Sequence, residues 1–292
     1  MNYTYYPGCS LSASAMEYDA STRALMASLG ASLTDMDDWN CCGATAASAK
    51  SALLSLALGA RNLALAEKMA PGSDILVPCS ACYLNLKKAA MERRNDPEVA
   101  RKLDDILAQE SLTITKPPEV RHLLDILVND VTAPTIKAKT TRPLKGLKIA
   151  PYYGCQCLRP YPVFDDPEDP VSMEGLLEAC GATVFKWDMG ASCCGASNMS
   201  TKPDSARKLV QKILMQARGA DAIVTVCPMC QLNLEGFQRQ VSHDAGSDLS
   251  ISILYLPQVI GLALGLTESD VKLDKNLAVT RKFKEKLLAV SC

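Results

Sequence analysis

Cysteine is the residue that most constrains this chain, because 13 of its 292 residues are cysteines and most of them form two matched sets. Each half of the sequence carries a single cysteine, then an adjacent pair followed by glycine, then a C-x-x-C. The first set is Cys9, Cys41, Cys42, Cys79 and Cys82, and the second is Cys155, Cys193, Cys194, Cys227 and Cys230. A repeat this long indicates a duplicated domain, not a solenoid.

The spacing of the motifs is similar in the two halves. Equivalent cysteines lie 146, 152 and 148 residues apart, counted for the single cysteine, the pair and the C-x-x-C. The first half has 31 and then 36 residues between its motifs, and the second has 37 and then 32. The order is therefore the same in both halves, with only small insertions.

Short apolar segments precede the cysteine motifs and are predicted to be strands. These segments are residues 3–6 and 75–77 in the first half and 147–152 and 222–226 in the second, with further strands near Leu33 and near residues 184–185. Helical patterns alternate with them, which predicts an α/β fold: two duplicated domains, each a small, mostly parallel sheet with flanking helices. In such sheets ligands collect at the carboxyl ends of the strands, so we expect the cysteine loops to meet there.

The helix boundaries are predicted from capping signals. In the first half, the helix after the first cysteine loop is predicted to begin with a capping box from Ser14 to Glu17 and to end at Gly30. In the second half it is predicted to begin at Asp169-Pro170 and to end at Gly181. A first domain over residues 1–133, an aperiodic linker over 134–146 and a second domain over 147–292 follow from this pattern.

Charge and hydropathy exclude several functional classes. A formal net charge of −1 argues against a nucleic-acid binder, and no apolar run is long enough to span a bilayer. No basic segment leads into an apolar one at the N-terminus, so we expect a cytoplasmic protein whose clustered cysteines serve as metal ligands or catalysts. The two histidines, His122 and His243, lie far from the cysteine motifs in sequence, so mixed Cys/His zinc sites are not expected.

Five thiolates in each half exceed the four that a tetrahedral zinc ion or an ordinary cubane cluster needs. Adjacent cysteines such as Cys41 and Cys42 reach one site only in a tight turn, which Gly43 and Gly195 permit. A C-x-x-C places two sulfurs in the first turn of a helix, whose N-terminus stabilises thiolate charge. The pattern favours an iron site in each half; inert buried cysteines and a structural zinc site are the alternatives.

Three cysteines fall outside the two sets. Cys180 is predicted to pack as a small apolar residue within a helix. Cys157 forms a C-Q-C with Cys155 and is an alternative to it as a ligand. Cys292 is at the C-terminal end of the sequence and is expected to be free.

With these motifs in view, the chain resembles the B subunit of heterodisulfide reductase and its CCG-domain relatives. The resemblance extends over essentially the whole chain and rests on the two Cys-Cys-Gly motifs and on residues 227–234, Cys-Pro-Met-Cys-Gln-Leu-Asn-Leu. It implies two non-cubane 4Fe–4S clusters, each held by one five-cysteine set. It also implies that a small disulfide or thiol, such as the heterodisulfide of coenzyme M and coenzyme B, is cleaved or formed in one-electron steps.

The sequence carries no relay cluster, flavin or nicotinamide motif of its own. It has no C-x-x-C-x-x-C run, no G-x-G-x-x-G after a strand and no phosphate-binding loop. Electrons are therefore expected to come from a partner. The resemblance implies a ferredoxin-like partner with two cubane clusters and, behind it, a flavin-bearing partner.

Two other functions are consistent with the same residues. One is an electron-transfer or scaffold component of another oxidoreductase, of the lactate or glycolate type or of a sulfur-oxidation complex, without a disulfide substrate. The other is a zinc-stapled interaction module. The segment 267–292 is predicted to be either a docking helix for a partner or an ordinary terminal helix.

Overall fold

The computed structural model describes residues 1–44 and 46–290. They form two compact units, the first made of residues 1–14 and 30–123 and the second of residues 15–29 and those from 124 onward. Cys292, expected from the sequence to be free, lies outside the described residues. The predicted boundaries at 133, 146 and 147 stay a prediction.

Each unit contains one sheet of four parallel strands. In the first unit the spatial order is β2-β1-β3-β4, and the strands are β1 Asn2–Tyr5, β2 Ser32–Asp35, β3 Ile75–Val77 and β4 Val120–His122. The second unit repeats the order as β6-β5-β7-β8, with β5 Lys148–Tyr152, β6 Thr183–Val184, β7 Ala222–Thr225 and β8 Ser252–Tyr255. The inner strands β3 and β7 are apolar and buried, as expected in a parallel sheet. The predicted α/β fold is confirmed.

Helices alternate with these strands. Up to residue 139 they are α1 Gly8–Leu11, α2 Met16–Ser28, α3 Ala46–Lys50, α4 Ala52–Met69, α5 Ser80–Asn95, α6 Pro97–Ala108, α7 Leu123–Ile126, a π-helical turn Leu127–Val131 and α8 Ala133–Lys139. After β5 come α9 Ser172–Ala179, α10 Pro203–Gln216, α11 Pro228–Gly236, α12 Gln238–Ala245, α13 Leu256–Ala263 and α14 Arg281–Ala289. Short 3₁₀ turns lie at Ala196–Asn198 and Leu273–Lys275.

The strand order explains why the cysteine motifs meet. In the first unit, the single cysteine follows β1, the adjacent pair follows β2 and the C-x-x-C follows β3. Because β2 and β3 flank β1 on opposite sides, the strand order reverses between β1 and β3, which is where parallel sheets bind ligands. The second unit has the same arrangement at β5, β6 and β7.

Helix α2 belongs to the second unit although its sequence lies in the first repeat. It packs against α13, and the ring of Tyr18 stacks on Tyr255 with the centroids 4.0 Å apart. This placement explains why the predicted capping box fails. α2 begins at Met16 with Ala15 as its N-cap, and the side chain of Glu17 is buried.

The start of α9 also differs from its prediction. The helix begins at Ser172 and not at Asp169-Pro170, because the carboxylate of Asp165 holds the preceding turn. It accepts hydrogen bonds from the N–H groups of Val171 at 3.2 Å and Ser172 at 2.8 Å. The predicted helix ends are confirmed, since Gly30 and Gly181 follow α2 and α9 with a φ of +79°.

Buried side chains anchor helices in the connecting and terminal segments. The segment predicted as an aperiodic linker contains α8, whose Ile136 is fully buried, so residues 133–139 are helical. In α14, Phe283 and Leu287 are buried, and Lys286 Nζ lies 2.7 Å from the carboxylate of Asp221. α14 therefore packs on the second unit through one face, and the choice between a docking helix and an ordinary terminal helix stays a prediction.

Candidate metal centres

Each unit brings its own five cysteines to the carboxyl edge of its sheet. Buried and more exposed cysteines occupy the same positions in the two sets. Both cysteines of each C-x-x-C and the second cysteine of each adjacent pair are buried; the remaining two of each set are open to solvent to a greater degree. In the second unit, the sulfur atoms of Cys194 and Cys230 are 3.4 Å apart. Thiols from separate loops thus lie side by side, while their role as ligands stays a prediction.

The thiols of the second set also perturb one another. A hydrogen bond from Cys155, helped by the N–H of Gly195 and opposed by burial, lowers the pKa of Cys193 to about 6. The same hydrogen bond raises the pKa of Cys155, with burial and the nearby thiolates acting in the same direction. Because Cys155 and Cys193 follow different strands, this coupling shows that the loops after β5 and β6 converge.

The first set is coupled in the same way. Burial, followed by the charges of the Cys41, Cys42 and Cys79 thiolates, raises the pKa of Cys9. A hydrogen bond with Cys42 is the largest cause of the raised pKa of Cys82. All three loops of the first unit therefore contribute sulfur to one place.

The glycine after each cysteine pair makes the tight turn that the sequence predicts. Gly43 has a φ of +82° and Gly195 a φ of +77°, a region that side chains disfavour. Their N–H groups donate to Cys41 Sγ at 3.5 Å and to Cys193 Sγ at 3.3 Å. The turn is confirmed, and its backbone N–H bonds to the sulfur of the cysteine two residues earlier.

A second pair of glycines has a role that the sequence reasoning missed. A Cβ on Gly8 would lie 2.8 Å from Cys82 Sγ, and one on Gly154 would lie 3.0 Å from Cys230 Sγ. Both residues also have positive φ values, +68° and +70°. Glycine before the first cysteine of each set thus leaves room for a thiol of the C-x-x-C.

Two tyrosines hold the cysteine pairs from the strand side. Tyr6 Oη donates to the carbonyl of Asn40 at 2.8 Å, and Tyr152 Oη donates to the carbonyl of Ser192 at 2.6 Å. Asn40 and Ser192 each immediately precede a Cys-Cys pair. These tyrosines stand in the repeated Tyr-Tyr segments, so the repeat itself was the signal that could have found them.

Two asparagines hold the same turns from the helix side. Asn85 Nδ2 donates to the carbonyl of Cys42 at 3.1 Å, and Asn233 Nδ2 donates to that of Cys194 at 2.7 Å. Each asparagine lies three residues after the last cysteine of a C-x-x-C, in the repeated Leu-Asn-Leu. The matched tyrosines and asparagines therefore fix each Cys-Cys turn at both ends.

The structure corrects the expectation that neither histidine lies near a cysteine motif. His122 is fully buried at the end of β4, and its Nε2 lies 3.2 Å from Oγ of Ser80, inside the first C-x-x-C. Sequence separation concealed this contact because β4 pairs with β3, the strand that leads into the motif. His243 is exposed on α12.

The cysteines at positions 157 and 180, outside the two sets, are both buried. Burial raises the pKa of Cys180 to about 12, so this thiol behaves as a small apolar group, as predicted. Cys157 Sγ donates to the carbonyl of Tyr153 at 3.2 Å. Because the Cys157 thiol is hydrogen-bonded to the backbone of its own loop, Cys155 is the better candidate for the ligand.

The donor set determines which metal group fits. Within residues 1–44 and 46–290, no three His, Cys, Asp or Glu side chains are arranged to hold a single metal ion. The loops supply five sulfur atoms per unit, with a glycine keeping space beside one of them. An iron–sulfur cluster, which binds through several thiolates, fits this all-sulfur set.

Residues 3–87 and 149–235 match the cysteine-rich domain family called CCG. The chain belongs to this family. Its relatives include the B subunit of a CoB-CoM heterodisulfide reductase of Methanosarcina acetivorans, 33% identical over 81% of this chain and 80% of that protein. Another is a protein of Archaeoglobus profundus described as like the heterodisulfide reductase B subunit, 30% identical over 93% of both chains. These relatives point to iron–sulfur clusters as the cofactor.

A relative from a different enzyme is equally similar. The membrane anchor subunit of 8-methylmenaquinol:fumarate reductase of Wolinella succinogenes is 34% identical over 96% of this chain and 98% of that protein. In the part of the chain that the structure describes, no helix has both the length and the apolar character to cross a membrane. CCG proteins thus serve in more than one kind of oxidoreductase.

The fold itself has a solved counterpart. A crystal structure of a hypothetical protein from Helicobacter pylori superposes with a TM-score of 0.75 at 16% identity, covering 96% of this chain. This chain spans about half of that structure, 52% of its length. The likeness supports the fold alone.

Proposed function

We propose that this chain is the catalytic iron–sulfur subunit of a heterodisulfide reductase-like complex, which reduces or forms a disulfide such as that of coenzyme M and coenzyme B. The observation that carries the proposal is the presence of two complete, matched five-cysteine sites, one in each unit. Reducing one disulfide to two thiols consumes two electrons and two protons. Two one-electron centres meet that requirement.

In this proposal each five-cysteine set holds one non-cubane 4Fe–4S cluster. The ligands of the first are Cys9, Cys41, Cys42, Cys79 and Cys82, and those of the second are Cys155, Cys193, Cys194, Cys227 and Cys230. When bound, the clusters supply single electrons and iron sites that accept sulfur. An all-thiol set of five supports this assignment over zinc, for which four ligands suffice.

The chain's own groups prepare the thiols for binding. The N-termini of α5 and α11 begin within the C-x-x-C motifs and stabilise negative charge on them. The buried cysteines face the core and keep water from one side of the site. The exposed cysteines, Cys9 and Cys41 in the first unit and Cys193 in the second, leave the other side open. A small disulfide would approach from that open side.

The relatives are subunits of oxidoreductase complexes, which supports a complex for this chain. We propose that the immediate electron donor is a ferredoxin-like partner with two cubane clusters, and that a flavin-bearing partner stands behind it. A cytoplasmic location belongs to the same proposal.

The test is anaerobic metal analysis followed by EPR of the oxidised protein with candidate thiols. We expect about eight irons with matching acid-labile sulfide per chain, and a signal that changes when the thiol substrate is added. About two zinc ions without sulfide would contradict the proposal and leave a structural module. The comparison with the same protein lacking added thiol is the internal control.

A second candidate is favoured by the relative from W. succinogenes: an electron-transfer or scaffold component of another oxidoreductase. The name of that relative concerns 8-methylmenaquinol and fumarate, and it matches this chain over almost its whole length. In that case the clusters would be reduced by a quinol or by a partner protein, and their EPR signals would not respond to thiols or disulfides. The same EPR experiment, repeated with a quinol in place of the thiol, distinguishes the two proposed functions.

A further inference from the structure

Two buried polar groups lie directly behind the first C-x-x-C. Ser80, between Cys79 and Cys82, is 1% exposed, and His122 is 0% exposed. Ser80 Oγ and His122 Nε2 are 3.2 Å apart, a hydrogen-bond distance. The ring of Tyr83 meets the imidazole edge-on, with the centroids 5.4 Å apart at an angle of 74°. The hydroxyl next to Cys79 is therefore held by a side chain that is itself locked in place.

The second unit has different groups at the corresponding places. Pro228 follows the first cysteine of its C-x-x-C, where Ser80 stands in the first unit, and it has no hydroxyl. Tyr255 ends β8 as His122 ends β4, each paired in register with the strand that leads into the C-x-x-C. Tyr255 stacks on Tyr18, whose Oη donates to the carbonyl of Val226 at 3.2 Å.

A polar group beside a cluster thiolate changes the energy of adding an electron. Adding an electron increases the negative charge on the cluster and its sulfurs, and nearby hydrogen-bond donors and dipoles stabilise that charge. Such an effect is strong in a buried, water-poor setting, where charges are weakly screened. The Ser80 hydroxyl is in such a setting, and Pro228 is not able to supply the same dipole.

We infer that His122 is a positioning residue that donates its Nε2–H to Ser80 Oγ, which lets the Ser80 proton point toward the Cys79 thiolate, and that this pair gives the first cluster a higher reduction potential than it would otherwise have. The inference rests on the proposed function, because it requires a cluster in the first unit. It assigns the two clusters unequal potentials, so that they take up electrons in a defined order.

The experiment is an EPR-monitored redox titration of the full chain, with iron and sulfide measured for each sample. We expect Ser80→Ala and His122→Phe each to lower the midpoint potential of one cluster and to leave the other unchanged. The double variant should shift no further than the larger single shift, because both changes remove one interaction. His122→Gln, which keeps a hydrogen-bonding group, should restore part of the shift.

Tyr255→Phe is the matched control at the same strand position of the second unit, and it should leave the first cluster's potential unchanged. Normal iron content with an unmoved potential in Ser80→Ala would overturn the inference, even if His122→Phe failed to fold. Equal shifts of both clusters would also overturn it. Wild-type protein without iron and sulfide would overturn the proposed function and this inference together, so the two failures are distinguishable.

Discussion

In the first unit the buried side chain of Asn62 holds the Cys-Cys turn, whereas in the second unit an apolar side chain takes its place. Asn62 Oδ1 accepts from the N–H of Asn40 at 3.0 Å, and its Nδ2 donates to the carbonyl of Asn40 at 3.0 Å. In each unit a helix packs on the glycine of the Cys-Cys-Gly motif: Gly43 lies against Ser55 and Leu58 of α4, and Gly195 lies against Ala206 and Leu209 of α10. When these contacts are matched, Ile213 of α10 takes the position that Asn62 has in α4. Ile213 is buried in the core of the second unit.

The comparison shows which features of the sites are shared and which are not. The glycines beside the thiols, the tyrosines that bond to the residue before each Cys-Cys pair and the asparagines that bond to the pair itself occur in both units. Asn62, which bonds to the same Asn40 carbonyl as Tyr6, and His122, which contacts Ser80, have no polar counterpart of the same type, since Ile213 and Tyr255 take their places. The two sites therefore share one set of contacts, and the first unit adds polar contacts that the second lacks.

The largest effect is expected from removing one buried thiol of a set, which tests whether the two sites are independent. Cys42→Ser should lower the iron content from about eight to about four per chain, and Cys194→Ser should remove the other half. EPR of each variant should show the signal of the remaining cluster. Cys180→Ala is the control, because this buried thiol belongs to neither set. Loss of all iron in either single variant would mean that the sites are not independent.

The next largest effect is expected from filling the space kept by glycine beside a C-x-x-C thiol. Gly8→Ala places a Cβ 2.8 Å from Cys82 Sγ, whereas Gly154→Ala places one 3.0 Å from Cys230 Sγ, so the first unit should lose more iron. A positive φ adds about 1–2 kcal/mol of destabilisation in each case. Gly246→Ala isolates that backbone cost, since its φ is +60° and no atom lies within 4 Å of its Cβ. Equal iron loss in all three variants would contradict the steric explanation.

A smaller effect is a pH dependence of stability that we expect from α11, the helix that follows the second C-x-x-C, and not from α5, the helix that follows the first. Burial, with a contribution from the charge of Glu17, raises the pKa of Glu235 from 4.5 to about 7. Lys87 occupies the corresponding place in the first unit and pairs with Glu119 at 3.1 Å. Protonated Glu235 carries no burial penalty, so the free energy of unfolding should fall as pH rises from about 4.5 to about 7, by about 3 kcal/mol.

Denaturant unfolding at several pH values checks this expectation. Glu235→Gln keeps the side-chain oxygen that accepts from the N–H of Ala278 but does not titrate. The difference in stability between wild type and this variant should therefore grow with pH across that window and level off above it. A constant difference from about pH 4.5 to about pH 8 would show that Glu235 is already ionised at low pH.

The smallest effect is expected from the two tyrosine hydroxyls. Tyr6→Phe and Tyr152→Phe each remove one hydrogen bond to the residue before a Cys-Cys pair and should cost about 1 kcal/mol of stability. Because the two contacts are equivalent, we expect similar losses in thermal unfolding. A loss of stability in only one variant would show that the two hydrogen bonds contribute unequally despite their similar geometry.

The fold could be predicted in large part from the repeated pattern of strands and cysteine motifs. The strands that precede the cysteines are short, apolar and bounded by the motifs, so their positions were predicted closely. The helix starts were not, because the carboxylate of Asp165 and the burial of Glu17 override local capping signals. Helix α8 was missed since one buried residue, Ile136, anchors it without a clear periodic pattern.

The sequence by itself determined that the chain carries two matched sets of five cysteines, since their order and their adjacent glycines are readable from spacing alone. Only the tertiary structure decided what surrounds those sites. Parallel pairing of β3 with β4 brings His122 to Ser80, and the packing of α2 in the second unit brings Tyr18 to Val226. The physical reason is that strand pairing and helix packing join residues far apart in the chain, which leaves no local pattern to detect.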